Sequence, residues 1–342
     1  MEKVKELSKD EIKNIIEYNY NISVNSIEKI NRGTADIFTI VSNNEKYVLK
    51  YFSEGKKKES IIKETNIINF LNTKNINVPV YIKTNNGDFY ITYNDRIVVL
   101  QKFIDGYTME NNTGDYNKVI ESAKILGKIT KALEDYNGLD EDGIFIKSFS
   151  KTSLENGIVK MRDLQNKLKK DNPYKEEFYN DLNFKIDVAQ ELLKKFDFDI
   201  INKMTIKNTH GDYSVQQLIY NDDGKTTVID FETAKKMPIV WEVIRSYSYV
   251  DKEAANGNLN INTLVEYFKE FLKYIKLNEF DLKYAAHLYL IQLIVSTFGY
   301  KQFNDDYTKI TLLEFARFRT NLCKYLYKNL ENISKTLLNE IK

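Results

Sequence analysis

A tight turn between two β-rich runs is the feature that most constrains how this chain can fold. The runs cover residues 218–220 and 225–229, and Asp223-Gly224 lies between them. This dipeptide is typical of a two-residue hairpin loop, because both central positions of the tight turn require a positive φ. Such a loop would place Gln217 directly opposite Asp230, with their Cβ atoms about 4.5–5.5 Å apart. The sequence therefore predicts an amide and a carboxylate side by side at the open end of a hairpin.

A second carboxylate precedes this hairpin, in the motif His210-Gly211-Asp212. Phosphoryl transfer requires oxygen ligands that hold a metal ion against the phosphates, and a further carboxylate that orients the attacking hydroxyl. We therefore expect Asp230 and Gln217 to bind Mg²⁺ and Asp212 to act as the catalytic base. Alone, a three-residue motif near a turn is more typical of a cap or a solvated loop. The combination with the hairpin favours a catalytic site.

The pattern of apolar residues changes along the chain and indicates two lobes. It alternates as in strands up to about residue 105, and after Gly106 apolar residues recur every three or four positions, as on buried helix faces. The elements predicted for the first part are helices 9–20 and 57–73 and strands 37–41, 46–52, 88–93 and 96–103. We predict an α+β fold, in which a small N-terminal lobe (1–105) has an antiparallel sheet plus a helix. The larger C-terminal lobe (106–342) is mostly helical.

The composition argues against several classes of protein. Among 342 residues there are 50 basic and 49 acidic side chains, so the formal net charge is only +1. A protein that binds nucleic acid normally carries a strong basic excess. The longest apolar stretch, 288–295, is far shorter than the roughly 20 residues that span a bilayer, and residues 1–10 lack the apolar core of a signal peptide. We expect a cytoplasmic protein with no nucleic-acid partner and no membrane insertion, and its oligomeric state stays open.

A lysine and a glutamate in the N-terminal lobe extend the predicted site. Lys50 lies on the second strand of the first hairpin, from which it could reach the phosphates of a nucleotide. The turn before this hairpin contains Gly33 and Thr34 and would cover those phosphates. On the following helix, Glu64 is predicted to pair with Lys50 on helix-facing grounds, with Glu59 as the alternative partner.

With these residues identified, the chain resembles the aminoglycoside phosphotransferase and choline kinase superfamily, whose members are relatives of protein kinases. The resemblance extends over nearly the whole chain and implies a two-lobed, protein-kinase-like fold. It implies that Asp212 is the catalytic aspartate and Asp230 the principal metal ligand. It also implies ATP or GTP as co-substrate, with the base bound by backbone groups around Gln101 and Phe103.

Two further residues have roles that the superfamily implies, and two features of the sequence depart from it. The resemblance implies that His210 braces the catalytic loop and that Glu242 does so too, through Arg245. At position 217 the superfamily usually has asparagine, whereas Gln217 carries the same carbonyl oxygen on an arm one methylene longer. The phosphate-covering turn has a single glycine, Gly33.

The resemblance implies transfer of the γ-phosphate of ATP or GTP to a hydroxyl of a small molecule, such as an aminoglycoside, a sugar or a choline-like amino alcohol. Gln217 leaves a second hypothesis open, a kinase-fold binding or structural protein without catalysis, as in members thought to serve in spore coats. A protein kinase is less consistent with the sequence, because Phe231 is followed by Glu232 instead of glycine, and no activation segment precedes Pro238.

Overall fold

The computed structural model describes residues 7–30 and 35–341, and the chain forms two compact units in it. The first unit comprises the residues up to Thr108 together with Gln217–Ala234, and the second comprises Met109–Gln216 together with the residues from Lys235 onward. The first carries an antiparallel sheet and the second is mostly helical, which confirms the predicted α+β class. The chain returns to the first unit after residue 216. The predicted lobes, divided at residue 105, were each a single continuous segment and did not include this return.

An antiparallel five-stranded sheet forms the centre of the first unit, in the order β1-β2-β3-β5-β4. Its strands are β1 (Ser26–Ile30), β2 (Asp36–Ser42), β3 (Glu45–Tyr51), β4 (Ile91–Tyr93) and β5 (Arg96–Lys102). A two-residue turn joins β4 to β5, and both its residues, Asn94 and Asp95, have positive φ (47° and 58°). The sequence pattern predicts β2 to β5 but not β1. This edge strand buries only Ile27 and so lacks a clear alternation.

Helix α1 (Lys9–Tyr20) covers one face of this sheet and was predicted with the same bounds. A capping box between Ser8 and Glu11 satisfies free amides at its start. Its apolar side packs into the core of the sheet, and each fully buried aliphatic side chain contributes about 1.5–3 kcal/mol. The members of this core include Ile12, Ile15, Ile16, Phe38, Ile40, Leu49, Val98 and Leu100.

A second, three-stranded sheet completes the first unit, in the order β6-β8-β9. Its strands are β6 (Gly106–Thr108), β8 (Leu218–Asn221) and β9 (Thr226–Val228). The backbones approach so closely at Gly106 that a Cβ atom there would lie 2.4 Å from the carbonyl oxygen of Tyr220. Helix α2 (Lys58–Thr73) packs against the short 3₁₀ turn Phe231–Thr233, which directly follows Asp230. These contacts hold the returning chain in the first unit.

The hairpin between β8 and β9 has a different register from the predicted one. Leu218 pairs with Val228, and the loop has three residues instead of two. Gly224 has a φ of +78°, whereas Asp223 has a negative φ, so the two-residue turn with two positive φ values does not form. As a result Gln217 faces Ile229, whose N–H donates to the Gln217 carbonyl oxygen at 3.0 Å, and the predicted pairing of Gln217 with Asp230 is wrong.

The second unit is built from helices around a two-stranded sheet of β7 (Ile206–Thr209) and β10 (Lys235–Pro238). Helix α3 (Tyr116–Leu133) illustrates the packing of these helices, since its predicted apolar stripe, from Val119 to Leu133, is fully buried. Within the described part of the chain, no helix is long and apolar enough to cross a membrane. The helices are α3 (Tyr116–Leu133), α4 (Lys151–Asn166), α5 (Lys175–Lys195), α6 (Ile239–Val250), α7 (Ile261–Leu272), α8 (Glu279–Ile294), α9 (Tyr300–Asp305) and α10 (Ile310–Glu340).

Candidate active site

Lys50 and Glu64 lie close enough in the first unit to interact electrostatically. Lys50 is on β3, between Ile37 and Val99 of the neighbouring strands. Glu64 is on the buried side of α2 with 3% of its surface exposed, whereas Glu59 is exposed in the first turn of that helix. The geometry therefore favours Glu64 over Glu59 as the partner of Lys50.

The Glu64 carboxyl is held in a largely dry environment. Burial raises its pKa, the Lys50 ammonium opposes this increase, and the nearby Asp230 carboxylate adds to it. The buried Tyr81 hydroxyl lies next to Glu64 without a well-formed hydrogen bond. Removing a carboxylate from water costs free energy, so its position beside Lys50 must be maintained by the packing of α2 against the sheet.

Asp230 has an unusual backbone conformation for a residue with a side chain. Its φ of 71° and ψ of 59° lie in the left-handed region, which costs a non-glycine residue roughly 1–2 kcal/mol. The fully buried ring of Phe231 anchors the following turn. This packing fixes the direction in which the Asp230 carboxylate points, in electrostatic contact with Glu64.

Two charged residues that the sequence analysis missed join this group. Lys56 forms an ion pair with Glu232, and its ammonium group lies 4.8 Å from the centre of the Phe52 ring. Burial lowers the pKa of Lys56, while the charges of Glu64 and Asp230 oppose that decrease. The first unit therefore gathers two lysines and three carboxylates: Lys50, Lys56, Glu64, Asp230 and Glu232. We refer to these five residues as the charge cluster.

The other residues predicted to contact the nucleotide are Gln101, Phe103, Gly33 and Thr34. Gln101 is buried on β5, and its side-chain oxygen has no hydrogen-bond partner. The Phe103 N–H donates to the carbonyl oxygen of Lys46 at 2.9 Å, so a base contact through this amide would require that bond to break. Gly33 and Thr34 lie outside the described residues. The base-binding and phosphate-covering roles stay predictions.

In the second unit, Glu242 holds the loop that contains the His-Gly-Asp motif. Its buried carboxylate on α6 accepts hydrogen bonds from the N–H groups of His210 (3.0 Å) and Gly211 (2.6 Å), with a longer contact to that of Tyr213 (3.4 Å). Burial raises the pKa of Glu242, and the neighbouring His210, Arg245 and these amides counteract the increase. Glu242 thus binds the loop directly, and not through Arg245 as expected.

Arg245 binds the same loop at a second point. Its guanidinium forms an ion pair with Asp212 and donates to the Tyr213 carbonyl oxygen at 2.7 Å. It lies against the rings of Trp241 (5.5 Å) and Tyr249 (4.9 Å). The Asp212 side chain is nevertheless 44% exposed. The sequence contains a signal only for the contact with Trp241, since Arg245 follows Trp241 by one helical turn.

The structure therefore brings the predicted residues together in two groups, one in each unit. Lys50, Glu64 and Asp230 belong to the first, where Gln217 lies beside Ile229, and His210, Asp212 and Glu242 belong to the second. In the described residues, no group of three or more His, Cys, Asp or Glu side chains could by itself hold a metal ion. Any metal here would need oxygen ligands from another source.

Replacing Glu64 with glutamine should change how stability depends on pH. Because burial raises the pKa of Glu64, the folded state binds its proton more tightly than the unfolded state, whose pKa is about 4.3. The stability contribution of this carboxyl therefore falls as pH rises above that value. We expect the free energy of unfolding of Glu64→Gln, relative to wild type, to increase between about pH 5 and about pH 8 in urea titrations.

The exposed Glu59 provides the matched control for this measurement, since Glu59→Gln removes a charge from the same helix without removing a buried one. The difference in free energy of unfolding between Glu59→Gln and wild type should be the same at both pH values. If this difference is also independent of pH for Glu64→Gln, Glu64 is not a desolvated carboxyl.

The fold and these residues define a class: two-lobed, kinase-like phosphotransferases. The sequence model of the phosphotransferase enzyme family (APH) matches residues 26–268, most of the chain. The chain belongs to this family.

Solved structures of similar fold agree with this assignment. The AMP-bound complex of spectinomycin phosphotransferase APH(9)-Ia has a TM-score of 0.66 and 16% identity, covering 94% of this chain and 99% of that chain. Amicoumacin kinase hAmiN, in complex with AMP-PNP, Ca²⁺ and its ligand Ami, has a TM-score of 0.60 and 13% identity, covering 95% and 94%. Choline kinase LicA from Streptococcus pneumoniae has a TM-score of 0.52 and 16% identity, covering 94% and 98%. These likenesses confirm the kinase-like fold.

Proposed function

We propose that this protein transfers the γ-phosphoryl group of ATP or GTP to a hydroxyl of a small molecule. The family membership supports a phosphotransferase, and the structural neighbours that bind AMP or AMP-PNP support a nucleotide co-substrate. The neighbours named for spectinomycin, amicoumacin and choline support a small-molecule acceptor. The observation that carries the proposal is the Asp212 carboxylate, which Arg245 holds in place and which is still 44% exposed to an incoming substrate.

The lysines of the charge cluster in the first unit would bind the phosphates of the nucleotide. Lys50, kept in position by Glu64, would contact them from β3, and the turn with Gly33 and Thr34 would cover them. The connector around Gln101 and Phe103 would bind the base. A fixed lysine stabilises the negative charge that spreads over the transferred group in the transition state, without any rearrangement at the moment of reaction.

A magnesium ion fits the donors available near Asp230. Mg²⁺ in phosphotransferases is commonly held by one or two protein oxygens, with nucleotide phosphates and water completing its shell. The fixed Asp230 carboxylate would be one such ligand and the amide oxygen of Gln217 a second, since the described residues offer no complete protein cage. When bound, the ion would neutralise phosphate charge.

Asp212 would orient the acceptor hydroxyl and accept its proton. Two contacts limit the motion of its loop: Glu242 binds the backbone amides, and Arg245 binds the Asp212 carboxylate. Positioning of this kind is the main contribution that a protein makes to phosphoryl transfer. His210 and Glu242 are in this account positioning residues and Asp212 is the catalytic residue.

Thermal unfolding with ATP or GTP, each with and without Mg²⁺, tests the proposal. A ligand present at about 100 times its dissociation constant adds roughly 2.7 kcal/mol, which raises the melting temperature by several degrees. We expect one nucleotide to stabilise the protein and Mg²⁺ to increase the shift. If neither nucleotide changes the melting temperature, the proposed function is wrong.

A second candidate is a kinase-fold binding protein without catalysis, and the position of Gln217 favours it. This residue faces Ile229 instead of Asp230, and its side chain is longer than the asparagine usual in the superfamily. For this candidate we expect a nucleotide shift that is indifferent to Mg²⁺, and metal-dependent turnover only after Gln217→Asn. Metal-dependent turnover of the wild-type protein would reject it.

A further inference from the structure

Two cations of the second unit converge on one residue and have no carboxylate partner within ion-pair distance in the described structure. Lys185 on α5 is 2% exposed and donates from Nζ to the Ser296 carbonyl oxygen at 3.0 Å. Arg319 on α10 donates from Nη1 to the Ser296 hydroxyl at 3.1 Å, and its buried Nε–H has no partner. The carboxylate that acts electrostatically on Lys185, that of Asp181, is already bound by other side chains, Lys324 (2.7 Å) and Tyr300 (2.6 Å).

The positive charge at Ser296 is only partly balanced by the protein, because the Asp181 carboxylate that acts on Lys185 is shared with Lys324. Burial lowers the pKa of Lys185 only to about 8, so most of this group is charged at neutral pH. Ser296 follows the C-terminal end of α8, whose dipole supplies the equivalent of about half a negative charge. Half a charge offsets only a part of two cations, and a buried charge without a partner is costly. An anion bound at this position would remove the imbalance.

An aromatic strip connects this position to the catalytic aspartate. We use this name for Tyr249, Phe315 and Phe298. Arg245, which binds Asp212, lies against the Tyr249 ring. Tyr249 stacks on Phe315 at 6.2 Å, and Phe315 contacts both the guanidinium of Arg319 (5.5 Å) and the ring of Phe298.

A ligand can reach flat apolar surface at the Ser296 end of the strip, because Phe298 is 44% exposed and Phe315 is partly exposed, whereas Tyr249 is buried. Guanidinium groups already occupy faces of Tyr249 and Phe315. A cationic ligand would therefore meet like charges along the strip.

We infer that the acceptor is a hydroxyl compound that carries an anionic oxygen group, a carboxylate or a phosphate, which binds Arg319 beside Ser296, where the buried Lys185 ammonium adds positive charge. This inference rests on the proposed function, because it assumes that the hydroxyl of the same molecule reaches Asp212. It assigns specificity to the charge at Ser296 and predicts that polycationic aminoglycosides and choline are poor acceptors.

Matched probes test the inference by isothermal titration at constant ionic strength. Glycerate and glycerol 3-phosphate carry the two candidate anions, glycerol is their neutral counterpart, and mandelate adds an aromatic ring. Kanamycin and choline are the cationic probes. We expect at least one anionic probe to bind more tightly than glycerol and than both cations. Whichever of glycerate and glycerol 3-phosphate binds more tightly shows whether the anionic group is a carboxylate or a phosphate. Preference for kanamycin or choline, or no binding of any anionic probe, would overturn the inference.

Arg319→Gln should weaken binding of the preferred anionic probe by about tenfold to a hundredfold, the usual effect of losing hydrogen bonds between charged groups. Arg317→Gln is the matched control, because Arg317 lies on the same helix and is paired with Glu177 through two hydrogen bonds (2.6 and 2.7 Å). If Arg319→Gln does not fold, Arg319→Lys keeps the charge and loses the planar fork, and it should weaken binding less. Unchanged affinity in the folded Arg319 variant contradicts the inference.

Turnover separates this inference from the proposed function. Phosphorylation of kanamycin that depends on Asp212 would retain the proposed function and overturn the inference. Anion binding that is lost in Arg319→Gln, in a protein whose melting temperature neither ATP nor GTP changes, would support the anion site and count against the proposed function.

Discussion

Asp212→Asn is expected to reduce turnover by about 10²- to 10⁴-fold, the range typical of a lost general base. Asparagine keeps the shape of the side chain but cannot accept the proton of the acceptor hydroxyl. The nucleotide contacts assigned to Lys50 and Asp230 belong to other residues, so the dissociation constant for the nucleotide should change little. Steady-state turnover and nucleotide titration on the same preparation measure both quantities.

Asp222→Asn is the control for this variant, since it makes the same chemical change on an exposed loop of the β8–β9 hairpin. It should have wild-type turnover. Full activity of Asp212→Asn would remove Asp212 from the mechanism, and equal loss in both variants would indicate a general effect of the substitution.

Glu242→Ala is expected to have the largest effect on stability, about 3–5 kcal/mol, as observed when one partner of a buried ionic network is removed. The variant would leave the amides of His210 and Gly211 without an acceptor in a buried position, and each such group costs about 1–3 kcal/mol. Urea unfolding of wild type and variant gives the difference directly.

A surface glutamate distinguishes this effect from the loss of any helical carboxylate. Glu266 on α7 pairs with Lys269 at 3.1 Å, and both side chains are exposed. Glu266→Ala should cost less than about 1 kcal/mol, because exposed ion pairs contribute little. A comparably small cost for Glu242→Ala would mean that the loop amides find other acceptors, such as water.

Local patterns were sufficient to predict most elements of the first unit, but not the short strands β1 and β6. Alternation and turn residues located β2 to β5, and α1 was predicted with its observed bounds. The two-residue turn at Asn94-Asp95 formed as such turns do, with both φ values positive. At Asp223-Gly224 the same reasoning failed by one residue, because a glycine with positive φ serves a three-residue loop equally well.

Contacts between residues far apart in sequence could not be predicted in this way. The ion pair of Lys56 with Glu232 joins positions on either side of more than half the chain, and no period or motif connects them. The contact between Asp212 and Arg245 depends on how α6 lies against the loop after β7, which tertiary packing decides. The sequence indicated Asp212, Asp230 and the pairing of Lys50 with Glu64. The partner of Asp212, Arg245, and the pair of Lys56 with Glu232 came from the fold.

The return of the chain into the first unit has a consequence for synthesis on the ribosome. Strand β6 ends at Thr108, and its neighbour β8 begins only at Leu218. Translation proceeds at roughly 5–20 residues per second, so β8 is synthesised about 5–20 s after β6. During this interval the N–H and C=O groups of β6 are open to pairing with other chains. The N-terminal half of this protein is therefore the part that we expect to need protection by chaperones while it is being translated.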